Sequence, residues 1–165
     1  MATITEPRQL FVTELQSMLY VEQKLADEVL PELSNEVKNS DLKQDLQHHI
    51  DETKQQVANL ERVFELLGEE PKPDKSHAVD GLTAQHDKVV KNIQTDEVRD
   101  FFDACAAAKT EHLEIAAYEG LITSAESLGD SEIVGLLEEN LDQEKSALKK
   151  AENAAETIAR QTATV

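Results

Sequence analysis

Five glycines and four prolines are the strong helix breakers in this chain of 165 residues, and they fall mostly at a few places. Between them Ala, Leu, Glu, Lys and Gln dominate, which are the best helix formers. Leu, Ala and Val recur there in steps of three and four, the period of an amphipathic helix. A chain punctuated this way reads as all-α. The first helix is expected near Thr5, a good N-cap followed by Glu6 and Pro7, and runs to about Val37 with a kink at Pro31. Asn39-Ser40-Asp41 forms a short turn with its own N-cap, and a second helix runs from about Asp41 to Leu67, closed by Gly68. From Gly68 to about Thr95 the pattern is broken by Pro71, Pro73 and Gly81, with room for a short helix over Ala78 to Asn92. A third helix runs from Thr95 to near Gly129 and a fourth from Asp130 or Ser131 to about Arg160. Two hairpins of long helices joined by one crossover make a four-helix bundle of the ferritin-like arrangement, read as one domain over 1–165.

Composition excludes several alternatives. The acidic excess, 34 Asp and Glu against 16 Lys and Arg, gives a net charge of −18, which argues against nucleic acid and anionic membranes as partners. No window has the apolar length of a membrane span, and MATITEPRQL lacks the basic start and apolar stretch of a secretory signal. A cytoplasmic location is the expectation. The single Cys105 rules out an internal disulfide and a thiolate cluster. Any metal site must therefore be built from carboxylates and histidine. With 4% aromatic residues, no substrate pocket is evident.

The stripes that face the core are broken in the same way on every helix. Helix one reads Phe11, Leu15, Met18, Glu22, Leu25, Val29. Helix two reads Leu42, Leu46, His49, Thr53, Val57, Leu60, Phe64, Leu67, with Glu52 beside His49. Helix three reads Ala107, Glu111, Glu114, Tyr118, Leu121, Ala125, and helix four Leu137, Leu141, Glu144, Leu148, Ala151, Ala155. Glu114 and Glu144 stand fifteen residues before and after Gly129; Glu22 and Glu52 stand sixteen before and fourteen after residue 38. At about 1.5 Å per residue all four reach one height. Acids gathered at one depth repel strongly unless a cation holds them. Oxygen donors with one imidazole suit iron(II) or manganese(II), and a set this acidic can hold two ions about 3.5–4 Å apart. Glu22 and Glu114 are assigned terminal positions, Glu52 and Glu144 bridges, and His49 a nitrogen donor. Glu111 is preferred to His112, which points about 100° away. His48 lies toward the surface, Tyr20 and Tyr118 pack with bonded hydroxyls, and Cys105 is a small buried residue. His77, Asp80 and His86 are given no role.

The segments ELQSMLYVEQKL, HIDETKQQVANLERVFELLGEEP, EHLEIAAY and LLEENLDQEKSALKK resemble the YciE/YciF family of bacterial ferritin-like stress proteins across nearly the whole chain. That resemblance implies a ferritin-like bundle, a homodimer, and a dinuclear iron or manganese centre associated with stress responses. The family's inward polar positions fall on Glu22, His49, Glu52, Glu111, Glu114 and Glu144. The broader di-iron pattern carries Glu-x-x-His on two helices, whereas this chain has the reverse order, His49-x-x-Glu52, and lacks a second histidine.

Three functions follow as expectations. In the first, a reduced metal pair reacts with oxygen or hydrogen peroxide. The second is metal storage in a closed shell, against which the chain stops near the end of helix four. The third is a metal-free structural or partner-binding acidic bundle.

Overall fold

The computed structural model describes residues 3–162; the rest of the expected 1–165 domain, Met1, Ala2 and 163–165, lies outside the described residues. The elements in order are α1 (Pro7–Lys24), a π-helical turn (Leu25–Val29), α2 (Leu30–Glu36), α3 (Ser40–Leu67), α4 (His77–Val90), α5 (Asp96–Leu128) and α6 (Ser131–Thr162). No strand occurs among the described residues. The rod of α1, π turn and α2 packs antiparallel to α3, and α5 packs on α6. The two hairpins meet through α1 on α5 and α3 on α6, while α4 of the crossover lies on α5. The fold is an all-α ferritin-like four-helix bundle. No helix among the described residues is long and apolar enough to cross a membrane.

Local chemistry sets the helix ends. Gly68 and Gly129 close α3 and α5 at φ of 68° and 79°, the left-handed region that other residues occupy only with strain. Asn39 caps α3 by accepting from the N–H groups of Asp41 and Leu42, and Asp130 caps α6 through Glu132 and Ile133. Thr5 is not the cap of α1. The helix starts one residue later, with Glu6 as N-cap, because the Gln9 side-chain carbonyl takes the N–H groups of both Thr5 and Glu6.

The bend expected at Pro31 is expressed just before it. Proline supplies no N–H and its ring crowds the carbonyl four residues back; the backbone widens there, with the Leu30 N–H donating to Leu25 O, five residues earlier. One residue is inserted into the stripe, so Leu30 and Leu33 are buried where Val29 is half-buried.

Two apolar layers enclose a polar one. Phe11, Leu15, Leu60, Phe64, Leu121 and Leu137 fill the end near Gly129, and Leu30, Leu33, Val37, Leu42, Leu46 and Ile158 the opposite end. At that second end Asp100 of α5, 5% exposed, accepts from the backbone N–H groups of Lys38 at 3.0 Å and Asn39 at 2.7 Å. It ties the first hairpin to the second. Asp100→Ala leaves both amides without an acceptor and is expected to cost about 2–4 kcal/mol, read as a lower denaturant midpoint at unchanged slope.

Asp80, given no role in the sequence, fastens the crossover to α1: it accepts from Lys24 at 2.5 Å and Tyr20 at 3.0 Å, with Lys75 3.0 Å away. These partners hold its carboxyl well below the usual carboxylate range.

Candidate metal centre

Between the two apolar layers, α1 contributes Glu22, α3 His49 and Glu52, α5 Glu111 and Glu114, and α6 Glu144. Five of the six are buried, with Glu22 and Glu144 0% exposed. Two groups of donors converge. Ligand atoms of His49, Glu111 and Glu144 all lie within 4.8 Å of one another, and so do those of Glu22, Glu114 and Glu144. Glu144 is common to both. Glu111, rather than His112, faces inward; His112 is exposed beside Glu152.

Glu52 stands at the edge of this arrangement. Its side chain is 17% exposed, Oε1 lies 3.1 Å from His48 Nε2, and Oε2 is 3.6 Å from His49 Nδ1. It belongs to neither group, so of the two bridges expected from the sequence only Glu144 has the shared position.

The hydrogen bonding is lopsided. Tyr118 donates to Glu22 Oε1 and Gln56 Nε2 to Glu144 Oε1. The second oxygens of Glu22, Glu111 and Glu144, and both oxygens of Glu114, are buried with no hydrogen-bond partner. Natural proteins rarely leave such groups unsatisfied. A cation is the ligand that carboxylate oxygens aimed at each other are suited to receive, and the donor set fits a hard or borderline divalent metal.

Protonation reports the same strain. Burial pushes Glu22 up to about 8 against the opposing hydrogen bond from Tyr118. Burial and neighbouring carboxylates hold Glu114 and Glu144 well above their ordinary range. His49 is raised to about 10, since burial, which lowers it, is outweighed by contacts with Glu111 and Glu52. Burial works to raise Glu111, yet its contacts with Glu144 and His49 bring it below its ordinary value. The His49 contact also lowers Glu52. Without metal the layer is thus pushed toward keeping protons on Glu22, Glu114 and Glu144 and on the imidazole.

Support comes from Thr53 and Tyr118 of the stripes and from Gln55, Gln56, Asn59 and Asn140, which the stripes did not single out. Gln55 donates to Asn59, Asn59 to Asn140 at 2.8 Å, and Asn140 to the Tyr118 hydroxyl at 2.9 Å, which in turn donates to Glu22. Thr53 donates to the His49 carbonyl. The signal for them was spacing: Gln56 follows Glu52 by four residues and Asn140 precedes Glu144 by four, so each shares a helix face with a candidate ligand. Cys105 is half-buried instead of buried.

Residues 6–164 match the family described as Domain of unknown function (DUF892). Protein YciF of Escherichia coli (strain K12) is 34% identical over 154 residues, which cover 86% of this chain and 93% of that protein. The chain belongs to the YciE/YciF family. The solved structure of the E. coli stress protein YciF superposes with a TM-score of 0.89 at 30% identity over 95% of this chain and 99% of that one. YcfI of Rhodopseudomonas palustris, described as a candidate structural protein, gives 0.88 at 36% over 90% and 94%. A protein of Xanthomonas campestris pv. campestris gives 0.75 at 25%, covering 95% of each chain. The YciE/YciF fold is therefore shared over almost the full length.

Proposed function

We propose that the protein is a dinuclear metal carboxylate protein of the bacterial stress response, holding two iron or manganese ions and reacting with oxygen or hydrogen peroxide. The observation that carries this reading is the pair of donor groups sharing Glu144, whose facing oxygens have no partner. A metal pair there supplies a redox store of more than one electron with positions open to a small oxidant.

The chain's own groups prepare the site. Gln56 and Tyr118 each occupy one oxygen of Glu144 and Glu22, leaving the other oxygen to face the centre, the orienting role that outer hydrogen bonds play around metals. His49 offers Nε2, 3.4 Å from Glu111 Oε1 and 3.9 Å from Glu144 Oε2, and becomes a nitrogen donor once its proton leaves. Glu52, partly exposed beside His48 and 3.6 Å from His49 Nδ1, sits where protons can pass between His49 and water. YcfI is described as a structural protein; a metal-free bundle here would have to keep the buried carboxylates protonated and paired with one another.

As a homodimer, the assembly the family resemblance implies, the protein sediments near twice 18.4 kDa. Elemental analysis of protein purified without chelator is expected to give close to two ions per chain, and the iron(II)-loaded form consumes oxygen or peroxide. A metal-free protein that stays empty after incubation with iron(II) and manganese(II) overturns the proposal.

A further inference from the structure

The low aromatic content gives no sign of a substrate pocket, yet the structure contains a sizeable cavity. Between α4 and the rod of α1, π turn and α2, and against α5, lies a cavity of about 440 Å³, within the range of small-molecule sites. Its walls include Val29, Leu82, Val90 and Phe102, all half-buried, backed by buried Leu25 and Val79. Apolar side chains converging on one partly wet space gain from an apolar occupant. His49 and Glu111 also line this space, so it reaches the candidate metal centre.

The polar groups of the same cavity form a stack at another level of α5. The His86 ring lies on Phe102, centroids 5.4 Å apart and planes at 15°, and Lys109 Nζ is 5.8 Å from that ring's centre. His86 Nε2 is fixed 2.8 Å from Oδ1 of Asp103, which is 0% exposed and whose Oδ2 has no hydrogen-bond partner. Of the acids on the rim, Glu36 pairs with Arg99 and Asp87 stands 3.6 Å from His86 Nδ1, while Glu32 is in none of the ion pairs among the described residues. Lys109 has no carboxylate partner within ion-pair distance among the described residues, in a chain of net charge −18. An uncommitted cation over an apolar cavity in so acidic a protein is complementary to an anionic group on the occupant. From Asp103 to Glu111 is eight residues, about 12 Å along the helix.

We infer that the cavity beneath α4 binds a small organic acid with an apolar tail, its carboxylate beside Lys109 and its tail directed along α5 toward Glu111 and His49. This names a substrate class for the proposed metal centre and rests on that reading for what the tail approaches; the binding itself does not need metal.

The test is calorimetric titration of decanoate, decan-1-ol and decylamine into the whole protein, once with chelator and once with manganese(II), with bound metal measured separately. Decanoate is expected to bind saturably and more tightly than decanol, with decylamine weakest. Lys109→Glu weakens decanoate about fivefold and leaves decanol unchanged. Ala107→Phe, which fills the cavity, abolishes both, and Leu82→Trp serves the same purpose if circular dichroism shows the first variant unfolded. Absence of saturable decanoate binding up to about 1 mM, decylamine binding as tightly as decanoate, or filled variants that bind like the parent each overturn the inference. Decanoate uptake by a protein that takes no metal supports the cavity and removes the metal centre; metal uptake without decanoate does the reverse.

Discussion

Glu144→Gln abolishes paired metal binding while leaving the fold intact. Glutamine has the shape of the protonated acid that burial favours at this position, and it can still accept from Gln56, so the metal-free variant melts close to the parent. What it lacks is the carboxylate common to both donor groups. A ligand that binds only the folded state at a hundred times its dissociation constant adds about 2.7 kcal/mol. At roughly 2–4 °C per kcal/mol for a chain of this size, two such ions raise the parent's midpoint by about 10–20 °C. The variant is expected to show less than a third of that rise with manganese(II), and titration gives at most one weakly held ion. An undiminished rise in the Gln variant would show that the ions bind elsewhere.

The second large effect is a reversal of pH dependence. Glu22 is raised in the folded state from 4.5 to about 8, so the stability linked to its proton is complete below about 4.5 and lost as pH climbs through 8. Glu114 and Glu144 are raised and carry the same sign. His49, raised from 6.5 to about 10, holds its contribution below 6.5 and loses it as pH rises through 10. Glu52 and Glu111 are lowered and act oppositely, adding stability above their ordinary values that disappears in acid. The metal-free protein is thus most stable near pH 4.5, and by pH 9 the rise of Glu22 from 4.5 to about 8 alone removes about 5 kcal/mol. Manganese(II) inverts the slope, because coordination requires the deprotonated carboxylates and the neutral imidazole. Melting curves from pH 5 to 9 with chelator and with manganese(II) check this. Parallel curves would contradict it.

Much of the architecture was legible because it depends on local rules. Gly68 and Gly129 stop two helices for want of a Cβ, Asn39 begins a third, and the stripe of α5, from Ala107 through Tyr118 to Ala125, is buried as its spacing predicts. Height along a helix is simple counting, which is why Glu22, Glu114 and Glu144 come together. What local rules do not carry is azimuth after an irregularity. The π turn rotates everything beyond Val29 by one residue, and nothing short of the packed rod shows that Pro31 is accommodated by insertion instead of a break. On α3, Gln56, Asn59 and Val63 are buried while Val57 and Leu67 are half-buried; the polar pair faces inward because Asn140 and Glu144 on α6 receive them. Glu52 stands outside both donor groups although it shares a helix face with His49, its carboxylate being drawn toward the surface beside His48. The cavity beneath α4 was invisible because it is made by three segments far apart in sequence.

Anomalous diffraction from crystals grown with manganese(II) addresses the shared-carboxylate centre most directly. Two peaks about 3.5–4 Å apart are expected, one against His49 and Glu111, the other against Glu22 and Glu114, with Glu144 touching both. Density confined to the protein surface, with the six side chains unmoved and no ion among them, would contradict it.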